Sequence, residues 1–247
     1  MSVDELLHQL LDDDPNGLTL LFRQWMGASR RFRAFAEQYQ RKIRAKLRTA
    51  GDAEALQDLL FELEIAQWLL REKRFTVAYE SQGVRIASGP DFTVTFTTKV
   101  QFHIEVTRIR ATYTEEPGAP AKSDLSGGKI FYVILGKLGQ LKADAGNLLL
   151  IGLEPHPITE AALDEIMKQM KLRVENNDQA LLARARLQTP SEFFKQYHAL
   201  SGILFYFIPA VATPTPMPPL LWLNKAAKYP LLSQVQTSLR QLSVNLR

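Results

Sequence analysis

The sequence predicts an α/β protein built on a mixed β-sheet core flanked by helices. Three observations lead there. Apolar and polar residues alternate through three successive segments between residues 74 and 109, the period-two pattern of strands with two unlike faces. A helical segment precedes them, with Leu56, Leu59, Leu60, Leu63, Ala66 and Leu70 at three- and four-residue spacing. A second helical segment, KIFYVILGKLGQLKAD, separates the third strand from a fourth, NLLLIGL. A crossover of that length makes the fourth strand parallel to a member of the first group.

The elements follow in order. Residues 1 to 50 read as two helices broken near DDDPNG, where Pro15 and Gly17 mark a turn. Asp52 is placed to cap the helix that runs from about Ala53 to Lys73. The strands are expected at RFTVAYES (74 to 81), DFTVTF (91 to 96) and VQFHIEVTRI (100 to 109). A polar loop fills 111 to 127, and loops that long are usually functional or disordered. After the crossover helix and the strand at 147 to 153, residues 159 to 188 read as charged helix, and SEFFKQYHAL as a short one. GILFYFI and PLLWLN read as two more strands. The proline-rich connection between them, PAVATPTPMPP, cannot sit in a central strand. The tail LLSQVQTSLRQLSV is a last amphipathic helix. This organisation gives an N-terminal basic helical region, 1 to 50, and an α/β domain with a C-terminal α/β extension, 51 to 247.

Composition narrows the function classes. Of 247 residues, 46% are apolar and 23% charged, as in a globular protein with a substantial core. The absence of cysteine excludes disulfides, thiolate metal sites and a cysteine nucleophile, and fits a reducing cytoplasm. The first residues, MSVDELLHQLLDDD, are acidic and amphipathic rather than basic then apolar, and no apolar run is long enough for a bilayer. The expectation is a cytoplasmic protein without a membrane partner. The net charge is +4, with pI about 9.2. Residues 22 to 48 hold nine Arg or Lys and one Glu, interleaved with Phe, Trp and Tyr. That concentration suits contact with nucleic-acid phosphates; the plainer reading is a solvated helix face. P-loop, GxGxxG, GxSxG and HExxH patterns are all missing, and His8, His103, His156 and His198 lack zinc-ligand spacing.

Two carboxylates stand inside sequence that reads as sheet. Asp91 follows Pro90 at the start of one strand, and Glu105 lies among apolar neighbours in the next, sharing a face with His103 and Thr107. A buried carboxylate is costly unless paired, hydrogen-bonded or bound to a cation. If the strands are adjacent, Asp91 and Glu105 converge, and two such acids are the oxygen ligands that suit Mg²⁺ or Mn²⁺. The plainer alternatives are a turn cap for Asp91, an ion pair for Glu105 and a structural hydrogen bond for His103.

The pieces FELEIAQWLL, SGPDFTVTF, FHIEVTRIR and GKIFYVILGKLGQL, spread over residues 55 to 153, resemble the PD-(D/E)XK (restriction endonuclease-like) nuclease superfamily. The chain order α-β-β-β-α-β agrees with it. The resemblance implies that Asp91 and Glu105 are metal and catalytic residues, assisted by Glu62 or Glu64 on the preceding helix. It implies a lysine at position 107, where this chain has Thr107. Lys129 is the first candidate to replace it from the crossover helix. Lys137 is another, with Gln140 one turn beyond. The activity implied is metal-dependent phosphodiester hydrolysis, on DNA ahead of RNA, by an enzyme class that often works as homodimers. Thr107 favours a second hypothesis: an inactive module of the same fold that binds nucleic acid or a protein partner in a bacterial system such as genome defence. A structural protein whose acids serve stability is the third.

Overall fold

A computed structural model describes residues 1–11, 17–79, 89–109, 127–142, 144–153, 158–208 and 217–242. The expected turn residue Pro15, nearly all of the 111 to 127 loop and most of the proline-rich connection lie outside the described residues. The chain divides into two compact units, Met1–Tyr79 and Glu80–Arg247. Helix α5 and strand β1 therefore belong with the N-terminal helices. No described helix is long and apolar enough to cross a membrane.

The first unit contains α1 (Val3–Leu11), α2 (Thr19–Ala28), α3 (Arg30–Gln38), α4 (Gln40–Thr49), α5 (Ala53–Leu69) and β1 (Phe75–Tyr79). Four helices thus occupy the stretch that reads as two. The extra breaks have local causes. Ser29 adopts extended backbone, and its hydroxyl accepts the Phe32 N–H at 3.1 Å, so α3 starts afresh with its own cap. At Tyr39 the backbone leaves helical angles, and the ring packs on Phe35 and Tyr79 with centroids 4.9 and 5.8 Å away. The expected cap at Asp52 is present, accepting the Ala55 N–H at 2.7 Å.

Arg31 explains why α5 and β1 fold with these helices. Its guanidinium donates to the carbonyls of Leu70 (2.7 Å), Glu72 (2.6 Å) and Phe75. Carbonyls at a helix C-terminus lack intrahelical partners, and one rigid cation serves several at once.

The second unit contains β2 (Phe92–Phe96), β3 (Val100–Arg108), α6 (Gly127–Leu138), β4 (Gly146–Leu153), α7 (Glu160–Glu175), α8 (Gln179–Arg184), α9 (Pro190–Ala199), β5 (Leu200–Phe207), β6 (Leu220–Leu223) and α10 (Ser233–Gln241). These strands lie side by side in chain order. β2 is antiparallel to β3, β3 parallel to β4, β4 parallel to β5, and β5 antiparallel to β6. The unit is therefore a mixed sheet with helices. The parallel relation expected of β4 holds, and its partner is β3. Every residue of β4 and β5 is buried, as central parallel strands covered on both faces require. Leu149, Ile151, Ile203 and Phe205 form one core with Leu135 and Met167 from α6 and α7. The helical reading of 159 to 188 is divided at Asn177, which holds φ 58°, between α7 and α8.

Strands β5 and β6 approach unusually closely at Gly202, where an added Cβ would lie 2.6 Å from the Trp222 carbonyl oxygen and 3.5 Å from Leu223 Cδ2. Backbone cannot yield as a side-chain tip can. Gly202→Ala is expected to destabilise the protein by about 1–3 kcal/mol, the usual cost of overpacking. The check is denaturant unfolding: the midpoint should fall with the slope unchanged. An unchanged midpoint would refute the close approach.

Candidate functional site

The site grows from the β2–β3 hairpin. Its register pairs Phe92 with Ile104 and Thr93 with His103. Side chains opposite one another in an antiparallel pair share a face. Thr93 and His103 illustrate this, with Oγ1 and Nδ1 3.1 Å apart. Thr93, His103 and Glu105 therefore line one face of the hairpin, and Phe92, Val94, Phe102 and Ile104 the other, with Asp91 at the start of β2.

Asp91 is fixed by the backbone: its Oδ2 accepts the Val106 N–H at 2.7 Å. The carboxylate takes over the strand's pairing where β2 begins and is held beside the residue that follows Glu105. Glu105 is 7% exposed. In the parallel register it stands next to Leu149, and Thr107 next to Ile151, which places it on the face covered by α6. From that helix the Lys137 ammonium donates to Glu105 Oε1 at 2.8 Å and to Gln140 Oε1 at 3.2 Å. Glu105, Lys137 and Gln140 thus gather on one side of the sheet. A cation stands at Glu105 even though position 107 is Thr.

Lys129 lies in the first turn of α6, eight residues before Lys137 and so about 12 Å away along the axis. Glu62 and Glu64 belong to the first unit. Glu62, 8% exposed, receives Lys46 Nζ on both carboxylate oxygens at 3.0 Å. Glu64 is half-buried on the same helix. Lys46 also lies 4.8 Å from the centre of the Tyr79 ring, and Lys42 donates to the Tyr79 carbonyl at 3.1 Å. Two lysines of the basic run are therefore engaged inside the first unit, a contact that charge counting alone did not signal.

Among the described residues there is no group of three or more His, Cys, Asp or Glu side chains arranged to hold a metal ion. Mg²⁺ does not need one: it commonly takes one or two carboxylates and keeps waters and substrate oxygens for its other positions. The two acids near this end of the hairpin are Asp91, held by the Val106 N–H, and Glu105, held by Lys137. The chain has no cysteine, and among the described residues no cluster of His side chains offers a softer ligand set.

Burial lowers the pKa of His103 below that of ordinary imidazole. Asp144 opposes the shift by raising it, and Lys142 adds to the lowering. The folded protein thus prefers neutral His103, and the unfolded chain binds the proton more readily. The resulting stability is whole above the unfolded value, about 6.5, and is lost as pH falls below it. Between pH 7.5 and 5, wild type should lose more stability than His103→Gln in matched thermal melts. Equal losses would show that His103 does not couple folding to protons.

No family model matches the chain, and neither a curated protein nor a solved structure does.

Proposed function

We propose that this chain is a metal-dependent nuclease of the PD-(D/E)XK type that hydrolyses phosphodiester bonds in DNA in the cytoplasm, with its centre at Asp91, Glu105 and Lys137. One observation carries the reading. Asp91 accepts the backbone N–H of the residue that follows Glu105 at 2.7 Å, and a lysine ammonium lies 2.8 Å from Glu105 itself. Acids plus a cation are what phosphodiester hydrolysis needs, because its catalysis is largely positioning and stabilisation of developing charge.

Asp91 and Glu105 would hold Mg²⁺ or Mn²⁺. When bound, such an ion polarises a phosphoryl oxygen and acidifies water. The Val106 N–H keeps the Asp91 carboxylate in one orientation. Lys137 supplies the positive charge that Thr107 cannot, either to orient the attacking water or to stabilise the phosphate, and Gln140 holds its ammonium in place. Lys129 stands further along α6, where it meets substrate outside the reacting centre. The basic helices α2 to α4 supply phosphate contacts of the non-specific kind.

The ion pair also supports a second reading. Lys137 neutralises Glu105 without any metal, which suits an inactive module that binds nucleic acid or a protein partner.

Plasmid and single-stranded DNA cleavage with Mg²⁺, then Mn²⁺, separates the two. Asp91→Ala and Glu105→Gln should each lower the rate by about 10²-fold or more, on the scale of losing one preorganised electrostatic group. Lys137→Gln should fall nearly as far, and Lys129→Ala much less. Calorimetry should find metal bound by wild type and not by the acid variants. Folded wild type that neither cleaves DNA nor binds metal would overturn the nuclease reading and leave the module.

A further inference from the structure

The outward side of α6 continues from the centre as a ridge. Its non-buried positions include Lys129, Tyr132, Gly136, Lys137, Gly139 and Gln140, while Ile130, Phe131, Ile134, Leu135 and Leu138 face the core and half-buried Val133 packs against it. Three features set this ridge apart from an ordinary solvated helix face.

The first is Tyr132. It is 39% exposed, large for an aromatic ring on a helix, and the Arg184 guanidinium carbon lies 3.9 Å from its ring centre. The Arg173 guanidinium carbon lies 5.6 Å from the ring centre of the neighbouring Phe131. Arg173 in turn holds Asp178 Oδ2 at 2.9 and 2.6 Å, so the acid of this patch is already engaged by a cation. The ring is therefore presented in one orientation, with a cation stacked on it. The second is Gly136. It is exposed, and an added Cβ there would meet nothing within 4 Å. Glycine in a helix interior costs about 1 kcal/mol against alanine, and the core does not require it here. Its effect is to leave a bare step between Tyr132 and Lys137. The third is charge. Lys129 and Lys137 lie along the ridge, and exposed Arg184 and Arg186 flank Ala185, whose carbonyl lies 3.1 Å from where a Cβ of Gly139 would stand.

We propose that this ridge is the track for a single DNA strand: a base stacks on Tyr132, the sugar-phosphate backbone passes over the bare step at Gly136, and Lys137 meets the phosphate at Glu105. An aromatic platform set among cations is how single strands are held without sequence readout, since every base has a π-face and every phosphate a charge. A duplex keeps its bases stacked inside and offers none to Tyr132. The inference rests on the nuclease reading for the direction of the track, and names its substrate as single-stranded.

Fluorescence anisotropy with a labelled oligo(dT), and with a duplex of equal length, tests it on the full chain in EDTA, where no metal-dependent cleavage intervenes. Tyr132→Ala should weaken single-strand binding roughly tenfold, as loss of one base stack does, and leave duplex binding within twofold. Tyr132→Phe should restore it. Gly136→Leu is the decisive variant: leucine favours helix, so the melting temperature should rise while single-strand affinity falls severalfold. If Tyr132→Ala and Gly136→Leu both bind oligo(dT) like wild type, or if duplex binding falls equally, the track is overturned. Because the assay excludes metal, its outcome is independent of cleavage. Ridge-dependent binding without cleavage would sink the nuclease and keep the track; cleavage that depends on Asp91 but not on Tyr132 would do the reverse.

Discussion

Glu105 occupies the middle of β3, between an antiparallel neighbour and a parallel one, on a face that helices cover. A charge there loses most of its water and has to be compensated from nearby. Lys137 compensates it from α6, Gln140 fixes the ammonium, and the backbone around Val106 is pinned by Asp91. The seating of α6 on the sheet and the start of β2 are both tied to this one carboxylate. Removing one partner of such a pair typically costs about 3–5 kcal/mol, yet replacing both by apolar groups is often neutral or stabilising. Stability alone therefore gives little reason to keep the pair, and this is what directs attention to chemistry at the site.

The two units solve the same problem by similar means. In the first, Glu62 is buried on α5 and receives Lys46 on both oxygens, while Arg31 gathers three carbonyls where α5 ends and β1 begins. Aromatic rings fill the space around these cations, from Phe22 through Trp25, Phe32 and Phe35 to Tyr39 and Tyr79. Several residues of the basic run are thus internal fasteners. Arg30, Arg41 and Arg48 are the exposed ones on α3 and α4, and any phosphate contact by those helices falls mainly to them.

The parts of the candidate site that are close in sequence were legible from it. Strands β2 and β3 are adjacent, as the short turn at 97 to 99 requires, and this brings Asp91 to the backbone N–H beside Glu105. The choice among lysines was not legible: Lys129 and Lys137 share a helix and a charge, and only the seating of α6 against β3 brings one ammonium to Glu105. The breaks at Ser29 and Tyr39 are not legible because helical periodicity continues across them; a hydroxyl cap makes the first, and at the second the backbone leaves helical angles without any side-chain cap. Tyr132 and Arg184 are separated by 52 residues, and nothing in either segment marks them as a pair.

By itself, the sequence determined what is encoded over a few neighbouring residues: the strands from their period of two, the cap at Asp52, and the crossover that makes β4 parallel. Those follow from local sterics and spacing, which act wherever the segment ends up. Tertiary structure alone decided that β4 lies between β3 and β5, that α5 and β1 join the N-terminal helices, and which cation meets each buried acid. Such pairings depend on the register of strands and the seating of helices far apart in the chain. Many arrangements satisfy the local rules, and burial of charge and apolar surface selects one of them.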